Sequence, residues 1–162
     1  MNYFVIQIKT GGEEKYLNLA QTLIRSTGLP EQSTGRLLWP RRKMSLRKGG
    51  KKQEILAPIY PGYLFLEGEE LIPEVYWLLK KINGFLRFLK NNNEIEPLSG
   101  EDREILLHFL SFGEIVEKSK VIFDKDQRII IIDGIMKGLE GKIIKVDKRK
   151  KRAKISISLY NN

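Results

Sequence analysis

Residues 129–154 read IIIIDGIMKGLEGKIIKVDKRKKRAK, and few folds accept such a run. Ile129, Ile130, Ile131 and Ile132 are all branched at Cβ, which favours a pleated strand over a helix. Gly134, Gly138 and Gly141 follow at four- and three-residue spacing, where the chain needs positive φ or a close backbone approach. Ile143, Ile144, Lys145 and Val146 resume the strand, and Asp147 turns it into five consecutive cations at 148–152. Such a run cannot enter a core, so it forms either a solvated turn or a surface for phosphates. These features predict a small basic β-barrel that holds nucleic acid.

Charge over the rest of the chain bears on that expectation. The 162 residues leave room for one ordinary domain or two small ones, and 41% apolar content suffices for a core. The net charge is +9 and the isoelectric point about 9.7, which point to a polyanion. Residues 114–162 hold 13 Lys+Arg against 7 Asp+Glu, whereas residues 1–113 hold 16 against 13. Eight cations and no acid lie between residues 36 and 52. A basic balance alone fits simple solubility, but two clusters fit a binding surface better. With no cysteine, disulfides and thiolate metal sites are excluded, and a reducing cytoplasm is suited. The start, MNYFVIQIKT, reads as a strand and not as a charged leader, and no apolar run approaches the roughly 20 residues of a bilayer span. A soluble, cytoplasmic, monomeric protein without a membrane partner is expected.

Periodicity divides the first two thirds into strands and helices. Residues 3–8 form a β-branched and aromatic strand, and Thr10 to Glu13 has the spacing of a capping box. Leu17, Ala20, Leu23 and Ile24 then share a helical face, which Gly28 and Pro30 end. Pro40 holds Trp39 extended, and residues 41–52 read as a basic hairpin with Gly49-Gly50 at its tip. After the Pro61-Gly62 turn, Tyr63 and Phe65 fall on one face of a strand and Leu64 and Leu66 on the other. Residues 69–82 suit a helix with Pro73 in its first turn, residues 85–89 a strand, and Asn91 to Asn93 a loop. A further helix begins after Ser99 and carries Ile105, Leu106, Phe109 and Leu110 on one side. The order β-α-β-β-α-β-α predicts a sheet with helices packed on it. Residues 113–119 read as a linker and 120–162 as strands.

Two stretches carry a family likeness. IIDGIMKGLEGKIIKVD, with Gly134, Gly138, Gly141, Lys137 and Val146, resembles the KOW motif of SH3-like barrels. Tyr3-Phe4, the helix opened by KTGGEE, Tyr60-Pro61-Gly62-Tyr63-Leu64-Phe65 and Asn83-Gly84-Phe85-Leu86 resemble the amino-terminal (NGN) domain of NusG proteins. The likeness runs in the right order over nearly the whole chain. It implies an α+β protein: an NGN-like polymerase-binding domain at 1–112, a linker at 113–119 and a KOW SH3-like β-barrel at 120–162. Ile135-Met136 stands where housekeeping members usually have Pro-Phe, and residues 40–51 and 148–154 are richer in cations. Both departures resemble the specialised LoaP antitermination factors, which act through a leader-RNA hairpin. RfaH, whose carboxy-terminal domain can refold as a helical hairpin, is the other specialised likeness. The Ile-rich segments and the Ile155/Ile157 alternation favour strand, so no such switch is expected.

The resemblance implies that Tyr3, Tyr60, Tyr63, Phe65 and Phe85 grip the clamp helices of bacterial RNA polymerase. Spacing alone allows these rings to be core instead. Lys137, Lys142, Lys145, Lys148, Arg149, Lys150, Lys151, Arg152 and Lys154 are candidates for nascent RNA, unless the hairpin tip only meets water or a ribosomal protein. Arg41, Arg42, Lys43, Arg47 and Lys48 are candidates for upstream or non-template DNA, with a solvated hairpin as the alternative. A housekeeping factor bound to a ribosomal protein and a ribosome-associated KOW protein are the competing functions. No catalytic motif, metal-ligand cluster or cofactor motif is present, and none of these is expected. His108 is expected at the surface or as a helix cap, and Glu13-Glu14 as compensation for the helix dipole.

Overall fold

The computed structural model describes residues 1–90, 92–126, 128–149, 152–157 and 159, with the backbone alone at Arg47, Lys48 and Arg152. It is a mixed α+β fold. Strand β1 (Asn2–Ile8) is central to an antiparallel sheet of order β2-β5-β1-β6, with β2 at Arg36–Leu38, β5 at Tyr63–Gly68 and β6 at Phe85–Phe88. Alternation decides its two faces. Phe4, Ile6, Ile8, Leu64 and Leu66 pack on one side with α1 (Glu13–Ser26) and α3 (Pro73–Lys81), through Leu17, Ala20, Val75 and Leu79. Tyr3, Val5, Tyr63 and Phe65 look to the other side and α4 (Gly100–Leu110). The sheet is thus sandwiched, which explains why β5 is apolar on both faces. A short α2 (Glu31–Thr34) connects α1 to β2.

The expected capping box does not form. Gly12 is the N-cap of α1 and makes no side-chain cap bond. Glu13 turns inward instead, is 5% exposed, and accepts a 2.8 Å hydrogen bond from the Gly62 backbone N–H. Gly62 is required there: φ is +83°, and a Cβ would sit 2.7 Å from Thr10 Oγ1. Glu13→Ala would leave that donor unmet, so a loss of about 1–3 kcal/mol is expected in urea unfolding. Helix α3 starts at Pro73, later than periodicity predicts. The residue before a proline avoids helical ψ, and Ile72 is extended with ψ 148°.

The basic hairpin forms as expected, from β3 (Arg41–Lys48) and β4 (Lys51–Pro58). The stretch expected as a linker carries β7 (Ile115–Val116), which pairs in parallel with β3 at Arg41 and Arg42. Beyond it, β8 (Lys120–Phe123) pairs with β9 (Ile129–Asp133), and β10 (Ile143–Asp147) with β11 (Arg152–Ile155), all antiparallel. Gly134 of the glycine-punctuated run has φ +95°, and a Cβ on it would lie 2.7 Å from Ser119 Cα. The turn there closes against the start of β8, which explains that glycine.

Candidate functional site

The ring-bearing face of the sheet meets the carboxy-terminal segment. Tyr3, Val5, Leu38, Tyr60 and Phe65 share one buried cluster with Ile105, Leu106 and Phe109 of α4 and with Ile135, Leu139 and Leu159. Tyr60 stands edge-on to Phe65 at 5.2 Å and to Phe109 at 5.8 Å. Tyr63 and Met136 pack at the margin of the cluster, half-buried. Four of the five expected polymerase-docking residues are therefore gathered in one place. Phe85 is not among them; it packs across the sheet, 5.4 Å from Phe88.

Polar groups mark the seam. Tyr3 donates to Glu67 Oε1 at 2.8 Å, and burial, then that bond, pushes its phenol above the ordinary value. The Tyr60 hydroxyl is buried with no hydrogen-bond partner among the described residues, and burial pushes its phenol up strongly. His108 is not the surface or capping group expected of it: Nε2 donates to the Ile135 carbonyl at 2.8 Å, across the seam. Lys142 pairs there with Glu101. Neither link is legible from local spacing, since each joins residues far apart in sequence.

The cations divide by position. Lys145 and Lys154 are exposed and directly opposite one another in the β10–β11 ladder. Like charges so placed repel, and an anion between them relieves the repulsion. Lys148 and Arg149 extend this surface into the turn, exposed. Lys137 lies apart, exposed on the turn after β9, and Lys142 is occupied by Glu101. Lys150 and Lys151 lie outside the described residues, and Arg152 is described by its backbone, opposite Asp147. In the first hairpin, Lys43 pairs with Glu117, the half-buried Arg41 lies over the Trp39 ring at 4.6 Å, and Arg42 is exposed. The ladder sets Arg47 opposite Lys52 and Lys48 opposite Lys51.

Among the described residues no group of three or more His, Asp or Glu could hold a metal ion, and no helix is long and apolar enough to cross a membrane. The arrangement joins a buried apolar face to exposed cations on the β10–β11 strands.

Comparison with known proteins bears on the same features. A family model described as transcription termination factor nusG matches residues 1–107. The transcription termination/antitermination protein NusG of Thermus thermophilus is 21% identical over 99% of this chain and 90% of its own length. That of Borreliella burgdorferi is 26% identical over 75% of this chain and 70% of its own, and that of Bacillus subtilis 22% over 98% and 89%. A solved structure of Thermotoga maritima NusG, described for its domain interaction, superposes with a TM-score of 0.61. It is 20% identical and is covered over 88% of its length, with 98% of this chain matched. With the family model spanning well over half of its length, the chain belongs to the NusG family of transcription termination/antitermination proteins.

Proposed function

We propose that this chain is an elongation and antitermination factor with an NGN-like domain at 1–112 that rides on bacterial RNA polymerase. Tyr3, Tyr60, Tyr63 and Phe65 are the docking residues for the clamp helices: Tyr63, half-buried, is the ring nearest solvent, and the buried Tyr3, Tyr60 and Phe65 come into reach only when the contacts of Ile135, Leu139 and Leu159 over them part. Tyrosine suits such a face because it adds a wettable hydroxyl to a large apolar area. Bridging the clamp disfavours the open, paused enzyme. The KOW module, 120–162, holds nascent RNA and tethers the factor to chosen transcripts, as the LoaP-like cation content suggests. A soluble cytoplasmic setting follows from that role.

The observation that carries the RNA reading is the opposed Lys145/Lys154 pair continuing into Lys148 and Arg149. Counterion release makes such binding steeply salt-dependent. The A-form major groove is too narrow for side chains, so selectivity comes from a bulge, loop or distorted stem. Lys145→Glu with Lys154→Glu is expected to weaken leader-hairpin RNA binding at least about tenfold and to flatten the salt slope by about two contacts. Filter binding across salt concentrations reads both; unchanged affinity would remove RNA from the module. Retention of core polymerase by the intact protein tests the first half. If none is retained, the factor does not ride on the enzyme.

A further inference from the structure

A groove of about 520 Å³ opens on the sheet face opposite the buried rings, between the start of β1, the entry to α3 and residues 92–97. Its lining is largely apolar. Phe4, Leu71, Tyr76 and Ile95 belong to the α1/α3 side of the core, and Pro73 and Pro97 add rigid edges. The walls are tied in place. Asn2 Nδ2 donates to the Glu69 carbonyl at 2.8 Å, the Phe88 amide to Asn92 Oδ1 at 2.9 Å, and the Leu98 amide to the Tyr3 carbonyl at 2.7 Å. Tyr76 stacks on Phe88 at 5.5 Å. Charge here runs against the rest of the chain. Residues 67–74 hold four acids and residues 92–97 two, with no cation in either, although the whole chain carries 29 Lys+Arg against 20 Asp+Glu. Glu69 and Glu70 line the groove and are exposed. Cations already gather on this rim: Glu69 meets the Met1 ammonium at 3.5 Å, and Glu96 meets Lys90 at 2.9 Å.

We propose that this groove receives a basic, apolar-anchored segment of a partner protein. Its volume lies within the range of ligand pockets, roughly 300–1,000 Å³. Charge selects the occupant: a nucleic-acid backbone would set its phosphates against Glu69 and Glu70, whereas Lys or Arg meets them with opposite sign. An aliphatic or aromatic anchor of the partner leaves water against Phe4, Leu71, Tyr76 and Ile95. Exposed ion pairs contribute little each, so the anchor supplies most of the affinity, and the rim supplies selection and encounter rate. Walls that are already held spare the ordering cost that a mobile groove would exact. The groove lies across the sheet from Tyr3, Tyr60, Tyr63 and Phe65. A segment seated in it leaves the proposed polymerase contact free, so the chain holds two proteins at once.

The test uses the full chain and three short fluorescent peptides: a Lys-rich peptide with a pair of Leu anchors, the same peptide with Glu for every Lys, and the same peptide with Ser for every Leu. Fluorescence anisotropy is expected to show the first binding at least about tenfold more tightly than either other. Glu69→Gln/Glu70→Gln is expected to weaken it about fivefold. Glu14→Gln/Glu31→Gln, which changes net charge equally at exposed positions of α1 and α2, is expected to leave it unchanged. Amide chemical shifts are expected to move at 69–76 and 92–97 when the peptide binds. No binding of the Lys/Leu peptide, equal losses in both variants, or shifts confined to other residues overturns the groove. Equal binding of the Ser peptide overturns the apolar anchor, and equal binding of the Glu peptide overturns the charge selection. Sedimentation velocity addresses the remaining occupant: dimerisation of the parent that the rim variant abolishes assigns the groove to a second copy and overturns the partner protein.

Discussion

Phe65→Ala is expected to cost about 3–5 kcal/mol of unfolding free energy. Phe65 is 0% exposed, sits on the central antiparallel pair opposite Val5, and meets the Tyr60 ring edge-on. Removing its ring deletes transfer free energy and leaves a cavity that a sheet packed on both faces cannot collapse. Urea unfolding followed by far-ultraviolet circular dichroism reads the loss; a change below about 1 kcal/mol would mean that the face is not a packed core. Tyr63→Ala is the informative contrast. Its ring is half-buried at the edge of the same cluster. It is expected to keep most of the stability and to lose polymerase association by about 2 kcal/mol, the scale of an interface hot spot. If both variants lose the two properties together, docking and core cannot be separated on this face.

The difference between these neighbours shows what a sequence of this kind reveals. Alternation along β1 and β5 announces two apolar faces, because period-2 spacing is a local property that survives in the fold. The Gly49-Gly50 turn was legible for the same reason, being a statement about a few adjacent dihedrals, whereas the helix expected from residue 69 starts only at Pro73. What covers a face is not local. Glu13 reads as one of two acids at a helix start, yet its partner is the amide of Gly62, 49 residues away. Ile115-Val116 is too short to announce a strand, and its pairing depends on Arg41 and Arg42 having been laid beside it. His108 has no local signal at all. Its role exists only because the Ile135 carbonyl arrives opposite it, 27 residues on.

That late-arriving seam carries the second large effect. Glu101→Lys with His108→Ala is expected to open the seam and to increase polymerase retention about tenfold. Both positions lie on α4, where Glu101 is 70% exposed and His108 half-buried with its ring edge-on to Phe109, so the substitutions act chiefly on the seam. The first sets like charge against Lys142; the second removes the donor of the Ile135 carbonyl. An exposed ion pair contributes roughly 0–1 kcal/mol and a hydrogen bond about 1, so reversal plus deletion shifts the closed–open balance by about 1–3 kcal/mol. A docking face that must be uncovered binds with its intrinsic constant divided by the open fraction, so that shift passes directly into apparent affinity. The Tyr60 hydroxyl, buried without a hydrogen-bond partner among the described residues, pushes the same way, because a rearrangement that gives it a partner recovers the cost of its burial. Small-angle scattering and polymerase capture on the same sample separate the possibilities. Expansion with stronger capture places the docking face under the module. Expansion with unchanged capture places it elsewhere, and no expansion means that the apolar contacts of Ile135, Leu139 and Leu159 hold the seam without the two polar links.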